Sequence, residues 1–306
     1  MGGCSIGDTA AGFDVSWLVE KDPLAAASLR DSHPHAKIYQ EDVQLFLAKC
    51  NSRVPGYPTP DDVDHLQSSP PCQGFSLANR GGQNDDCNNT LSHETVKAAK
   101  YLKPRTGMIE NIRGILQPKH LNHIIKIIYD LINLGYQVRI ALHDAKSYGV
   151  PQNRKRVIIT FAAKDTELPE TPKTTHEGNP VTLREAIDDL LPIACDMNEG
   201  SGLVQLKSGE FTFNHVASTP ASNNIILDYD EPVNTITTVN ANALTQPKEQ
   251  HRTLLTRELA RLFSYPNNKK FYGSLRAIRK QIGNSVPVAM AEAISSEIVA
   301  VHKNNT

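Results

Sequence analysis

The sequence predicts an α/β fold. Strands alternating with helices would build a doubly wound, mostly parallel sheet, with a small irregular, β-rich lobe inserted before the C-terminal helices. Three observations predict it. Strand-length apolar runs alternate with helix-period segments as far as Ala163, the texture then turns polar and proline-broken, and helical periodicity returns from Thr256.

Val15–Glu20 is a short apolar run ending in an acid and reads as a strand, followed by a short helix at Leu24–Arg30 and a strand at Lys37–Tyr39. Val63–Gln67 is a strand that stops where Ser68-Ser69 meets the double proline Pro70-Pro71. Thr106–Glu110 is a further strand. From His120 to Leu134, Leu121, Ile124, Ile125, Ile128, Leu131 and Ile132 recur at helical spacing, and Gly135 stops the run. Tyr136–His143 and Arg156–Ala162 close the series as strands. Beyond Ala163 the prolines Pro169, Pro172 and Pro180 interrupt a polar stretch. Val181–Leu191 reads as one amphipathic helix, and Asn224–Leu227 and Val233–Val239 as short β-like runs. Arg257–Phe263 and Val286–Val301 are helical. The division expected is a catalytic-looking domain at 1–163, a small lobe at 164–250 and a completing segment at 251–306.

Composition bounds the function. The 306 residues are 39% hydrophobic and 21% charged, the make-up of an ordinary globular chain. No run approaches the roughly 18 apolar residues of a membrane helix, and Met1 opens no secretory leader, so a membrane protein is not expected. Five scattered cysteines without a Cys-x-x-Cys pair indicate neither zinc nor a disulfide framework, and a reducing intracellular compartment is the natural setting. Net charge is only −1 but it is segregated. Lys97–Arg156 holds 12 basic and 3 acidic residues, Lys164–Glu249 holds 5 and 14, and Arg252–Lys303 holds 9 and 3. Two basic stretches around an acidic one could converge on a phosphate backbone; on charge alone, solvated surface is the better reading.

Cys72 follows two prolines at the end of a strand, hence at the carboxyl edge of a parallel sheet, where open α/β folds bind ligands. A thiolate there could be a nucleophile, although a cysteine taken singly is more often a small buried apolar residue. Its surroundings change that balance. Ser69-Pro70-Pro71-Cys72-Gln73-Gly74-Phe75-Ser76 resembles the nucleophile loop of the cytosine-C5 DNA methyltransferases. Glu110-Asn111-Ile112, Gln152-Asn153-Arg154-Lys155-Arg156, Arg257–Leu262 with Tyr265-Pro266, and Gln281–Pro287 resemble the family's later blocks, in the family's order. Each is weak alone; five in order over most of the chain are strong.

The resemblance implies a class I, Rossmann-like methyltransferase fold, S-adenosylmethionine as methyl donor, and double-stranded DNA as substrate, acted on by a monomer without a metal. Cys72 would attack C6 of a flipped-out cytosine, Glu110 would neutralise charge at N3, and Arg156 would hold O2 and orient Glu110, with Arg154 nearby on the backbone. Glu20 would accept from the donor's ribose, Asp42 would bind its adenine amino group with Val43 against the ring, and Asn284 and Val286 would hold its methionine end. Gly3, Ser5 and Pro70 complete the donor set. The compartment would be the nucleus in a eukaryote, or cytoplasm and nucleoid in a bacterium.

Two features depart from the family. Met1-Gly2-Gly3 aligns with the end of its first motif, Phe-x-Gly-x-Gly-Gly, so a chain truncated before its first strand is expected. The lobe that should read DNA is short and acidic, which suggests weak discrimination or a protein partner. The branch that methylates transfer RNA typically carries Pro-Pro-Cys-Gln-Pro-Phe-Thr and Cys-Phe-Thr, which Gln73-Gly74-Phe75-Ser76 does not match. A degenerate, non-catalytic relative that binds nucleic acid or a partner protein is the other reading. The missing strand and acidic lobe favour it; Cys72, Glu110 and Arg156 oppose it.

Overall fold

The computed structural model describes residues 2–70, 86–191, 204–206, 211–212, 225–238, 240–245 and 253–304. Its elements, in chain order, are α1 (Gly3–Ala11), β1 (Trp17–Val19), α2 (Pro23–Ser32), β2 (Lys37–Tyr39), α3 (Val43–Asn51), β3 (His65–Ser68), α4 (Asp86–Leu102), β4 (Thr106–Ile112), α5 (Leu121–Asn133), β5 (Tyr136–Asp144), β6 (Gln152–Asn153) and β7 (Lys155–Ala163). Then come α6 (Leu183–Ile187), β8 (Leu190–Leu191), β9 (Val204–Leu206), β10 (Phe211–Thr212), β11 (Ile225–Ile226), β12 (Val233–Asn234), β13 (Leu244–Thr245), α7 (Thr256–Arg261), α8 (Leu275–Gly283) and α9 (Val288–Asn304). They form two compact units, one of 1–40, 144–154 and 173–296, the other of 41–143, 155–172 and 297–306.

In the second unit the sheet order is β3-β4-β7-β5. β3 and β4 are joined through α4 and run parallel, as a helical crossover dictates. β7 runs antiparallel to β4, so the sheet is mixed on that side. The cause lies in the connection, because 145–154 between β5 and β7 is too short for the crossover that a parallel return requires. β4 is buried along most of its length, and its Ile109 joins Val157, Ile159 and Phe161 of β7 and Ile124, Ile127 and Leu131 of α5 in one apolar core.

The first unit begins with α1 and the parallel pair β1–β2. Asp22 caps α2, accepting from the Leu24 and Ala25 amides at 2.9 and 3.2 Å, with Pro23 at the first helical position. A separate apolar core gathers Leu183 and Ile187 of α6, Val233, Leu259, Phe263, Tyr265, Ile278 and Ile282. The helix expected over Val181–Leu191 is shorter than that. A capping box between Thr182 and Glu185 starts it, and it ends at Ile187. Asp188 and Asp189 follow, acids that the negative end of a helix disfavours. They find partners outside it, Tyr229 donating to Asp188 at 3.0 Å and Arg261 lying 2.8 Å from Asp189, and the chain then becomes β8.

Asp8 of α1 is buried and accepts from Ser295 Oγ of α9 at 2.6 Å. Desolvation outweighs that hydrogen bond and pushes its carboxyl from 3.8 up to about 7. Between those values the folded chain binds more protons at Asp8 than the unfolded chain does. Its contribution is therefore complete at acid pH and is lost as pH rises toward and through 7. Asp8→Asn should consequently gain stability relative to the wild type on going from acid to mildly alkaline pH. Denaturant midpoints of both proteins across that range check this, and parallel profiles would show that Asp8 does not titrate there.

Candidate active site

The block Gln152–Arg156 is where two β segments meet. Its first half, β6, pairs in parallel with β12, Gln152 opposite Val233 and Asn153 opposite Asn234. Gln152 is fully buried and spans two segments, its amide oxygen accepting from Ile236 N at 2.9 Å and its amide nitrogen donating to Leu262 O at 3.0 Å. Arg154 sits in the break between β6 and β7 and is 2% exposed. It donates to the carbonyls of Ile236 (2.7 Å), Ser285 (2.8 Å) and Gly283 (3.2 Å), and its guanidinium lies 4.9 Å from the centre of the Phe263 ring.

Arg156, on β7, belongs to a different environment. In the antiparallel β4–β7 pair Ile112 faces Arg156 and Glu110 faces Ile158, so Glu110 and Arg156 are diagonal neighbours on one face of the sheet. Arg156 Nε lies 2.7 Å from Glu110 Oε1, with both side chains more than nine-tenths buried. Another guanidinium nitrogen donates to the Lys155 carbonyl at 2.8 Å. A carboxylate withdrawn from water is costly unless a cation stands beside it. Here the Arg156 cation stands at ion-pair distance from it, although its Nε–H makes no hydrogen bond of good geometry. Cys72 lies outside the described residues, as does the loop from Pro71 through Ser76; Pro70, just before it, is buried after β3.

The residues expected to hold a donor fall in both units. In the first, Gly3 opens α1 so close to the turn after α8 that a Cβ there would lie 2.0 Å from Val286 O and 2.2 Å from Ser285 Oγ. Only glycine fits. Helix geometry gives the first-turn amides of α1 no acceptor within the helix, and such amides suit a carboxylate. Asn284 is the exposed residue that ends α8, and it stands between buried neighbours, with Val286 only 3% exposed. Ser285 beside it is anchored by the Tyr265 hydroxyl at 2.6 Å. Glu20 follows β1 at the carboxyl end of that strand, one oxygen accepting from Asp22 N at 2.9 Å. Ser5 is buried, and its hydroxyl meets His33 Nε2 at 2.9 Å and Gly2 O at 3.3 Å. Burial, helped by the Lys269 cation, pulls His33 down to about 4, so that imidazole is neutral at neutral pH. In the second unit Asp42 caps α3 through the Gln44 amide at 2.9 Å, and Val43 is the first residue of that helix.

Sequence reasoning gave no role to Gln152, Tyr265 or Ser285, although all three lie in or beside the quoted blocks. Their place inside those blocks was the available signal. Among the described residues no cluster of His, Cys, Asp and Glu could hold a metal ion, and no helix is long and apolar enough to cross a membrane.

Residues 1–300 match the family model for C-5 cytosine-specific DNA methylases. The type II methyltransferase M.NgoMIV of Neisseria gonorrhoeae is 29% identical, the alignment covering 99% of this chain and 96% of that protein. M.NgoPII of the same organism is 26% identical, over 97% and 92%. A solved structure of a protein encoded within an Escherichia coli prophage superposes with a TM-score of 0.82 at 22% identity, covering 98% of this chain and 96% of that one. At that identity the likeness establishes the fold.

Proposed function

We propose, from the premise that this chain belongs to the C-5 cytosine-specific DNA methylase family, that it methylates cytosine in DNA through a covalent adduct carried by Cys72. The observation that carries this reading is the buried Glu110–Arg156 pair, 2.7 Å apart on neighbouring strands of one sheet. The carbon to be methylated, C5, is a weak nucleophile. A bond from Cys72 Sγ to C6 pushes electrons toward N3 and C5, and a proton placed at N3 by Glu110 neutralises the charge that gathers there. Arg156 holds Glu110 in line and offers guanidinium N–H groups to the base O2. After C5 has gained its methyl group, loss of the C5 proton to solvent, return of the N3 proton to Glu110 and expulsion of the thiolate restore the aromatic ring, the carboxyl and the free cysteine. None of this is possible inside a stacked duplex, so the cytosine must be flipped out.

S-adenosylmethionine supplies an electrophilic methyl group when bound. By the family resemblance, Gly3, Asn284 and Val286 would take its amino-acid end, Glu20 its ribose, and Asp42, Val43 and Pro70 its adenine. The fit rests on the bare main chain at Gly3 and on an acid standing at the carboxyl end of a parallel strand. Residues 1–163 and 251–306 would carry the chemistry, and 164–250 would be the DNA-reading lobe. Within 164–250 the strands β8, β9 and β10 form an antiparallel sheet of their own, which favours a distinct lobe there, although the two compact units divide the chain at other points. The enzyme acts as a monomer inside the cell.

The test is incubation with S-adenosylmethionine and a duplex substituted throughout with 5-fluorocytosine, which blocks release because fluorine cannot leave C5 as a cation. A denaturation-resistant protein–DNA species is expected. Donor binding without any adduct or methyl transfer would overturn the covalent reading and favour a non-catalytic module.

A further inference from the structure

We propose that Arg154 is a positioning residue for the methyl donor: it fixes the Gly283–Val286 turn and, through it, Asn284 and Val286. The inference rests on the assignment of those two residues to the donor. Arg154 is enclosed, only 2% exposed, and its terminal nitrogens are committed to three main-chain carbonyls of its own unit. A residue that touched a flipped base or a phosphate would need to be reachable, and Arg156, two positions on, already stands beside the reaction's carboxyl.

What Arg154 joins is specific. Two of its acceptors, Gly283 O and Ser285 O, lie on either side of Asn284 at the end of α8, where helix carbonyls lack intrahelical donors and a cation is favoured. The third, Ile236 O, belongs to the segment that leaves β12. The two segments meet at this point, since a Cβ on Gly283 would lie 2.9 Å from the Thr237 carbonyl carbon and from Thr238 N. One guanidinium therefore pins the segment after β12 to the turn after α8. From the other side Tyr265 holds Ser285, and Gly3 packs directly on Val286 O. Asn284 is left as the exposed residue of a turn fixed at both ends. The planar fork matters, because a lysine ammonium is a point donor and cannot span the same three carbonyls.

The full chain carrying Arg154→Met or Arg154→Lys tests this. Calorimetric titration with S-adenosylhomocysteine in the absence of DNA is compared with steady-state rates and with the melting temperature without ligand. In Arg154→Met, donor Kd and donor KM should rise about tenfold or more, while kcat at saturating donor and KM for DNA stay within about twofold, since the group lost acts on the turn and not on the base. Arg154→Lys should recover part of the donor affinity. A folded variant with unchanged donor Kd overturns the proposal, and so does a fall in kcat at constant donor Kd. Equal loss of every parameter together with the melting temperature overturns it too, because that is a general structural role. Should the methionine variant not fold, the lysine variant is read by the same criteria. A wild-type chain that binds no donor strikes the donor assignment itself, an outcome distinct from any of these.

Discussion

Cys72→Ser is expected to abolish methyl transfer, by about 10⁴-fold or more, and to form no adduct with 5-fluorocytosine DNA while binding S-adenosylhomocysteine as the wild type does. The size follows from the chemistry. Serine keeps the shape, but its hydroxyl is un-ionised at neutral pH, whereas a thiol of ordinary pKa near 8.5 is already a few per cent thiolate. Without the bond to C6, C5 stays part of the aromatic ring and remains a weak nucleophile. Two results would sink the assignment. One is a serine variant that still forms the adduct, since another residue would then be the nucleophile. The other is a variant that has lost donor binding in parallel, since the defect would then be one of folding.

The chemistry was more legible in the sequence than the packing. Strands at Lys37–Tyr39 and Thr106–Glu110 were readable as short runs shortly after a proline, Pro34 and Pro104, and the observed strands cover them. The helix at 121–133 was readable from its apolar stripe. Helix α8 was not, and the reason is physical: its buried face carries Arg279 and Gln281 beside Ile278 and Ile282. Arg279 sits in the interior only because Thr253 Oγ1 and Leu254 O accept from it at 2.6 and 3.2 Å, partners some 25 residues away that no local periodicity reveals. The reversed direction of β7 is likewise a consequence of a short connection, not of composition. Within the Gln152–Arg156 block the two arginines look interchangeable on paper. A break in the strand between Asn153 and Lys155 separates them, so that one serves a turn and the other a carboxyl.

The Glu110–Arg156 pair lends itself to a cycle that separates stability from catalysis. Arg156→Met removes the cation and leaves a carboxylate more than nine-tenths buried, a situation that costs about 3–5 kcal/mol in proteins generally. Glu110→Gln keeps the side chain's shape but leaves the buried Arg156 guanidinium without its counter-charge, so it should also destabilise the fold, less only to the extent that the amide oxygen can accept from the guanidinium. The double variant, Gln beside Met, should recover most of what Arg156→Met lost, because the stranded charge is gone. Activity should follow the opposite order. Glu110→Gln is expected to slow single-turnover methyl transfer by about 10²–10⁴-fold, since an amide cannot hand a proton to N3 as a carboxyl can. Restored folding in the double variant should bring no restored rate. Equilibrium denaturation of the four proteins measures the first pattern, and rapid-quench methyl transfer the second. A Glu110→Gln enzyme as fast as the wild type would remove the proton-delivery role and leave the pair as a structural feature. An Arg156→Met protein as stable as the wild type would mean that the carboxyl is not held by this arginine at all, and the geometry on which the proposed mechanism stands would have to be redrawn.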